Sequence, residues 1–198
     1  MVKLIIFDIG GVMLDFSEDE YASYISHKLG ISERLFKKEL MRLIEKMELG
    51  YMGADDLENA LSKKFHVPKG SFEFGKAFAK LAKLNWNVIN LVKKLSKHYK
   101  VVLLTNVSFV RYMEMRRLWL SKAHLRTFAS CYLHMRKPSV RIYKYVLKEL
   151  GVEAKDALFI DNMEENVNGA KRAGIKSFRF VSYEDLVKRL IDLGIEVV

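Results

Sequence analysis

Residues 3–14 read KLIIFDIGGVML, an apolar run that ends in an aspartate and a pair of glycines. The four apolar residues before Asp8 do not alternate with polar ones, which is typical of a strand that is buried on both faces. Gly10 and Gly11 follow at once and predict a sharp turn. The segment therefore predicts a parallel strand with a carboxylate at its carboxyl end, the edge at which open α/β sheets bind their ligands.

The composition is typical of a folded domain in a reducing compartment. The chain has 198 residues and one cysteine, Cys131, so no disulfide can form within it. Cys131 lies in the apolar run FASCYL, and we expect it to be a small core residue. The net charge is +10, but lysine and arginine alternate with acidic residues along nearly every predicted helix. This pattern favours a solvated charged surface, and we expect no nucleic-acid partner.

The sequence also bears on location and source. The first apolar run is too short for a signal peptide, and no later segment approaches the ~18 uninterrupted apolar residues of a membrane span. We therefore expect a cytoplasmic protein with no membrane contact. Glutamine is absent while Lys, Arg and Glu are abundant. Such a composition indicates a heat-adapted, thermophilic source.

Residues 17–84 show only helical periodicity. Apolar residues recur at three- and four-residue spacing, acidic residues lie near the helix starts, and glycine follows the first two helices. The predicted helices span residues 17–30, 32–50, 54–65 and 71–84. We predict that this helical block, residues 17–84, is inserted after the first strand.

From residue 85 onward, helical segments alternate with apolar strands. The predicted strands are KVVLLTN, FASCYL, ALFIDN and KSFRFV, and an amphipathic segment precedes each of them. Repeated units of this kind predict an α/β fold, a doubly wound parallel sheet with helices on both faces. The predicted domains are an α/β core, residues 1–16 and 85–198, and a helical domain, residues 17–84.

Polar side chains follow several of the predicted strands. The first strand ends at Asp8, the second at Thr105–Asn106 and the fourth at Asp161–Asn162, while Lys137 stands just before a helix. Because the carboxyl ends of parallel strands lie at one edge of a sheet, we expect these groups to converge. Their convergence predicts a functional site.

The expected groups suit phosphoryl transfer. Two carboxylates can hold a hard divalent cation such as Mg²⁺, and one of them can serve as the nucleophile toward phosphorus. A hydroxyl, backbone N–H groups of the glycine turn and an ammonium can stabilise the phosphoryl oxygens. The histidines lack zinc-site spacing, and neither a GxxxxGK[ST] loop nor a GxGxxG fingerprint is present.

Four motifs carry a resemblance to a known family. FDIGGVML, LLTN, RKP and FIDNMEEN occur in this order, with the helical block after the first. The chain thereby resembles the haloacid dehalogenase (HAD) superfamily, in particular the sugar-phosphate phosphatases similar to alpha-D-glucose-1-phosphate phosphatase. The resemblance implies a HAD-like Rossmannoid core, with the helical block as a small cap that closes over the substrate.

The resemblance also implies roles for single residues. Asp8 is expected to form an aspartyl-phosphate, and Lys137 to offset charge on the nucleophile and phosphate. The expected Mg²⁺ ligands are Asp8, the carbonyl of Gly10, and Asp161 with Asn162, and the expected phosphate ligands are Gly11, Thr105, Asn106 and Lys137. The implied activity is that of a Mg²⁺-dependent phosphatase acting on a small phosphorylated metabolite, with a sugar phosphate as the closest precedent.

Two positions depart from the family pattern and leave alternatives open. Most phosphatases of the superfamily have a general-acid aspartate where this chain has Gly10, and a second aspartate where it has Asn162. Asp15 is our hypothesis for the substitute acid. One alternative is a dehalogenase, in which Asp8 attacks a halogen-bearing carbon without a metal. The other is a degenerate member that binds a phosphorylated metabolite, or a partner protein, without turnover.

Overall fold

The computed structural model describes residues 2–197, in which strands and helices alternate along most of the chain. The strands are β1 (Leu4–Phe7), β2 (Leu14–Asp15), β3 (Lys83–Leu84), β4 (Lys100–Thr105), β5 (Arg126–Ala129), β6 (Ala157–Asp161) and β7 (Lys176–Arg179). The helices are α1 (Glu18–Leu29), α2 (Glu33–Glu48), α3 (Ala54–Phe65), α4 (Phe74–Leu81), α5 (Trp86–Leu95), α6 (Phe109–Leu118), α7 (Ser130–Leu133), α8 (Val140–Leu150), α9 (Glu164–Arg172) and α10 (Tyr183–Asp192).

The five longer strands form one parallel sheet in the order β5-β4-β1-β6-β7. Strand β1 lies at the centre, and all four of its residues are fully buried. This position explains why the strand has no polar residue before its end. The predicted doubly wound α/β fold is confirmed.

The two faces of the sheet bury separate apolar clusters. On one face Leu4 and Ile6 of β1 pack with residues of α8, including Ile142 and Val146. On the other face the alternate residues of β1 pack with side chains of α5, α6 and α10. Successive side chains of a strand point to opposite faces, so β1 contributes to both layers. Helices on both faces leave the carboxyl edge of the sheet open for a site.

The helical block encloses a third apolar cluster, which includes Tyr21, Phe36 and Phe72. Its first two helices follow Ser17 and Ser32, whose hydroxyl groups accept the backbone N–H of Glu20 and Leu35 and cap the helices. Strands β2 and β3 pair antiparallel where the chain enters and leaves the block. Residues 83 and 84 were predicted to be helical, but α4 ends at Leu81. The pairing was missed because two residues in each strand carry no recognisable pattern. The division into two domains stays a prediction.

The segment FASCYL differs from its prediction as a strand. Strand β5 ends at Ala129, and residues Ser130–Leu133 form the helical turn α7. A short continuous apolar run fits a buried helix as well as a buried strand. The Ser130 hydroxyl accepts a hydrogen bond from the Val107 N–H at 2.9 Å and donates one to the Glu48 carbonyl at 2.6 Å. Cys131 is fully buried, which confirms it as a core residue.

None of the helices in residues 2–197 has the length and apolar character needed to cross a membrane.

Candidate active site

A cavity of about 410 Å³ lies between the carboxyl edge of the sheet and the helical block. Asp8 directly follows β1, and Thr105 is the last residue of the neighbouring strand β4. Both contribute to the cavity wall, together with Lys137 and Asn162. Glu18 and Glu48 line it from the helical block. The structure thus brings together the groups that the sequence placed at the strand ends.

Lys137 bridges two carboxylates beneath this cavity. Its ammonium lies 2.8 Å from Oδ1 of Asp8 and 2.6 Å from Oδ2 of Asp161. The lysine side chain is 1% exposed and that of Asp161 is fully buried. Burial lowers the pKa of Lys137, but Asp161 and Asp8 outweigh it, so the net pKa is raised and the lysine stays charged. One cation is therefore shared between two carboxylates.

Asp161 has all of its hydrogen-bonding capacity directed into the protein. Oδ1 accepts the Met163 N–H at 2.8 Å, and the Asn166 amide donates to both oxygens at 3.1 and 3.0 Å. Asn166 is itself buried, and its backbone carbonyl accepts the Tyr143 hydroxyl at 2.7 Å. Asp161 therefore anchors Lys137, while its neighbour Asn162 is the residue that reaches the cavity wall.

The carboxylate of Asp8 is held in place through one of its two oxygens, Oδ1. Oδ1 accepts the Ile9 N–H at 2.7 Å in addition to the Lys137 ammonium, which leaves Oδ2 as the oxygen without either contact. Burial raises the pKa of Asp8 to about 7, opposed by Lys137, while the charge of Asp161 also raises it. A buried carboxylate of this kind is typical of a functional site.

The two glycines after Asp8 have different environments. Gly11 has φ +71°, and a Cβ there would lie 2.0 Å from the Asn162 amide nitrogen. Its N–H donates to the Leu14 carbonyl at 2.7 Å, so the donor that was predicted to meet a phosphoryl group closes the turn instead. A Cβ at Gly10 would meet no atom within 4 Å. Gly11 is thus required for close packing, whereas Gly10 leaves open space near Asp8.

Asn106 positions the loop that carries Lys137. Its side-chain amide donates to the Lys137 carbonyl at 2.9 Å, and its Oδ1 accepts the Lys137 N–H at 2.9 Å. Because the side chain is occupied, the predicted phosphate contact of Asn106 is left to its backbone N–H. Thr105, at the end of β4, is buried and lines the cavity. Its role as a phosphate ligand stays a prediction.

Oxygen donors for a cation are present at the cavity. Asp8, Gly10 and Asn162 line the cavity and offer a carboxylate, a backbone carbonyl and an amide oxygen. Asp161, which was also expected as a ligand, is fully buried and does not line the cavity. Within residues 2–197, no group of three or more His, Cys, Asp or Glu side chains is placed to hold a metal ion. An oxygen set with few carboxylates still fits Mg²⁺, which keeps several waters and takes one or two carboxylates from the protein. The ligand roles stay predictions.

Ion pairs between the core and the helical block lie at the cavity, and sequence reasoning missed them. Arg111 of α6 pairs with Glu18, with Nη2 and Oε2 2.9 Å apart, and its guanidinium lies over the Phe16 ring. Arg136 lies 2.9 Å from Oε2 of Glu48. The partners of each ion pair are far apart in sequence, so no local sequence pattern indicates the pairing. Asp15 also lines the cavity, but it lies on strand β2 and is exposed.

Comparison with known proteins identifies the family. The family model described as haloacid dehalogenase-like hydrolase matches residues 2–174. Flavin mononucleotide hydrolase 1 of Arabidopsis thaliana is 42% identical over 71 residues, which cover 36% of this chain and 29% of that protein. D-ribitol-5-phosphate phosphatase of Bacteroides thetaiotaomicron is 25% identical over 190 residues, which cover 90% of this chain and 92% of that protein.

A solved structure supports the same fold. A HAD family enzyme of Bacteroides thetaiotaomicron, an aspartate-to-alanine variant in complex with magnesium and inorganic phosphate, superposes with a TM-score of 0.82. The match covers 94% of this chain and 99% of that chain at 19% identity. The chain therefore belongs to the haloacid dehalogenase-like hydrolases.

Proposed function

We propose that this haloacid dehalogenase-like hydrolase is a Mg²⁺-dependent phosphatase that hydrolyses a small phosphorylated metabolite through an aspartyl-phosphate on Asp8. The observation that carries the proposal is the buried Lys137 ammonium, 2.8 Å from Asp8 Oδ1 at the base of a cavity. A fixed cation beside a carboxylate favours the approach of a dianionic phosphate ester, whose charge would otherwise repel the nucleophile.

The attacking atom in this mechanism is Oδ2 of Asp8. The Ile9 N–H and Lys137 hold Oδ1, so the carboxylate plane is fixed and Oδ2 is left for phosphorus. Fixing the nucleophile before substrate binds removes rotational freedom that the reaction would otherwise lose. Attack by Oδ2 forms the phosphorus–oxygen bond while the bond from phosphorus to the leaving group breaks.

The phosphoryl oxygens are stabilised by groups on two loops. Thr105 offers a hydroxyl at the end of β4, Asn106 offers its backbone N–H, and Lys137 supplies positive charge. Preorganised donors of this kind provide most of the rate acceleration in phosphoryl transfer. The role of Gly11 is steric, because the absence of a side chain lets the turn pack against Asn162.

The proposed cofactor is Mg²⁺, held by Asp8, the Gly10 carbonyl and Asn162, with Asp161 behind them. When bound, the cation neutralises charge on the nucleophile and on the phosphoryl oxygens. The HAD family enzyme that shares this fold was crystallised with magnesium and inorganic phosphate, which supports the assignment.

The proposed substrate is a small metabolite such as a sugar or polyol phosphate. The cavity of about 410 Å³ lies within the range of small-ligand sites. Its walls combine apolar side chains, among them Phe78 and Met115, with the Arg111–Glu18 pair. A relative that matches nearly the full chain is a D-ribitol-5-phosphate phosphatase, which supports this substrate class.

The proposal is tested with a panel of phosphate esters assayed with Mg²⁺ and again after EDTA treatment. We expect phosphate release that EDTA abolishes and added Mg²⁺ restores. A dehalogenase would instead release chloride from 2-chloropropionate and would be insensitive to EDTA. Calorimetric binding of an ester without phosphate release would favour the non-catalytic alternative.

A further inference from the structure

The proposed phosphatase lacks an acid at the position next to its nucleophile. Gly10 carries no side chain, and the space that a Cβ would enter is free of atoms within 4 Å. An alkyl leaving group departs slowly as an alkoxide and needs a proton from the enzyme. If the enzyme hydrolyses alkyl phosphates, another side chain at the cavity must supply that proton.

Among residues 2–197, the acidic residues that line the cavity besides Asp8 are Asp15, Glu18, Glu48 and Glu165. Glu18 is bound through both oxygens to Arg111, so both oxygens are already engaged by one guanidinium. Asp15 and Glu165 are exposed. Glu48 is different, because its side chain is only 16% exposed.

Glu48 is held in place by the core. It is the last residue of α2, and its backbone carbonyl accepts the Ser130 hydroxyl at 2.6 Å. The following turn packs closely as well, since a Cβ at Gly50 would lie 2.1 Å from the Cys131 carbonyl oxygen. The end of α2 therefore has a defined position relative to Asp8, although it belongs to the helical block.

The carboxylate of Glu48 is incompletely satisfied. Arg136 Nη2 lies 2.9 Å from Oε2, but the contact lacks hydrogen-bond geometry, and Oε2 is a buried oxygen without a hydrogen-bond partner in residues 2–197. The charge of Arg136 is shared between two carboxylates, because Glu45 lies 3.4 Å from its other terminal nitrogen, Nη1. The ion pair therefore engages Oε2, which leaves Oε1 as the oxygen that can carry a proton.

The charged groups around Glu48 act in both directions. Burial raises its pKa above the ordinary glutamate value, while Arg136, Arg111 and Lys137 lower it. The net direction is upward. A buried carboxyl group at a cavity, with its pKa above the ordinary value, is suited to donating and accepting protons.

We propose that Glu48 is the general acid and base of this enzyme, acting from the helical block in place of the side chain that Gly10 lacks. The inference rests on the proposed phosphatase function. As Asp8 Oδ2 bonds to phosphorus and the ester bond breaks, the leaving oxygen takes the proton of Glu48. Glu48 then removes a proton from water as the water oxygen bonds to phosphorus and the Asp8–phosphorus bond breaks. The products are the alcohol and inorganic phosphate, and both carboxyl groups return to their starting states.

The test compares leaving groups in Glu48→Gln, using a series from 4-nitrophenyl phosphate to phenyl phosphate with Mg²⁺. For phenyl phosphate we expect kcat/KM to fall about 10²–10⁴-fold. For 4-nitrophenyl phosphate, whose leaving group needs no proton, we expect a loss below about 10-fold. The pH–rate profile of the variant loses the limb that reports the acid. Gly10→Asp in the Glu48→Gln background restores phenyl phosphate turnover.

Glu45→Gln is the matched control. It removes the other carboxylate beside Arg136, and its side chain is 63% exposed. If Glu48 served only to dock α2 onto the core, Glu48→Gln would reduce kcat/KM for all the esters by one factor and leave the pH profile of kcat/KM unchanged. That result, or a selective loss in Asp15→Asn instead, would overturn the inference while leaving Asp8-dependent turnover intact. Failure of the proposed function differs, since no ester would then be hydrolysed.

Discussion

The ammonium of Lys137 lies 2.8 Å from Oδ1 of Asp8, and the two side chains are 1% and 7% exposed. Asp161 lies on the other side of the same ammonium at 2.6 Å. Two carboxylates and one cation are thus buried together, which leaves one net negative charge if all three are ionised. Buried charge of this kind costs folding free energy and is retained where function requires it.

The first prediction concerns the pH dependence of stability in the metal-free protein. The pKa of Asp8 is raised to about 7 in the folded state, against 3.8 for an ordinary aspartate. A raised pKa means that the folded state binds more protons than the unfolded state between these values, so the free energy of unfolding decreases as pH rises from about 4 to about 7. The decrease is on the order of 2–4 kcal/mol.

Asp8→Asn is the control for this first prediction. The variant removes the excess charge, so in EDTA it should be more stable than wild type at pH 7 and should show a flatter dependence. Urea denaturation at several pH values measures both quantities. An equal pH dependence in the two proteins would contradict the assignment of the raised pKa to Asp8.

The second prediction concerns Lys137→Met. Without the cation, two buried carboxylates face each other, and we expect a loss of about 3–5 kcal/mol in the free energy of unfolding at pH 7. Adding Asp8→Asn to this variant removes one of the charges and should recover part of the loss. Strictly additive effects of the two substitutions in a double-mutant cycle would show that the ion pair does not couple them.

The third prediction uses the two adjacent glycines as a matched pair. Gly11→Ala places a Cβ 2.0 Å from the Asn162 amide at a positive φ, so it should destabilise the protein by about 1–3 kcal/mol and reduce turnover. Gly10→Ala adds the same methyl group where nothing lies within 4 Å and should leave stability within about 0.5 kcal/mol. Equal losses in both variants, measured by thermal unfolding, would show that the turn is not shaped by contact with Asn162.

The fourth prediction is a gain of function. The open space at Gly10 can accept an aspartate, and Gly10→Asp places a second proton donor beside Asp8. We expect faster turnover of esters with poor leaving groups, by up to about 10²-fold, and activity over a broader pH range. A variant that folds normally but shows neither change would indicate that proton transfer does not limit the rate.

Much of the fold and part of the site follow from sequence patterns alone. The unbroken apolar run before Asp8 requires a central strand, and the carboxyl ends of parallel strands share an edge, so Thr105 and Lys137 were expected near Asp8. The helical block could be predicted because apolar residues at three- and four-residue spacing are a local signal. Strand β5 was misplaced, since FASCYL has no period that separates strand from helix.

The rest depends on contacts that sequence patterns do not encode. Asp161 and Asn162 are adjacent and polar, and only the structure shows that the first faces Lys137 while the second faces the cavity. Asn166 binds both oxygens of Asp161, although its sequence context is an ordinary first helical turn. Glu48 reaches the cavity because α2 docks on α7, a tertiary contact without a local signature.

The central claim is that Asp8 is the nucleophile, and turnover of 4-nitrophenyl phosphate by Asp8→Asn tests it most directly. The substitution keeps the size of the side chain and removes the attacking carboxylate. With Mg²⁺ present and the variant shown to be folded, we predict that kcat/KM falls by about 10⁴-fold or more. Turnover at or near the wild-type rate would contradict the mechanism.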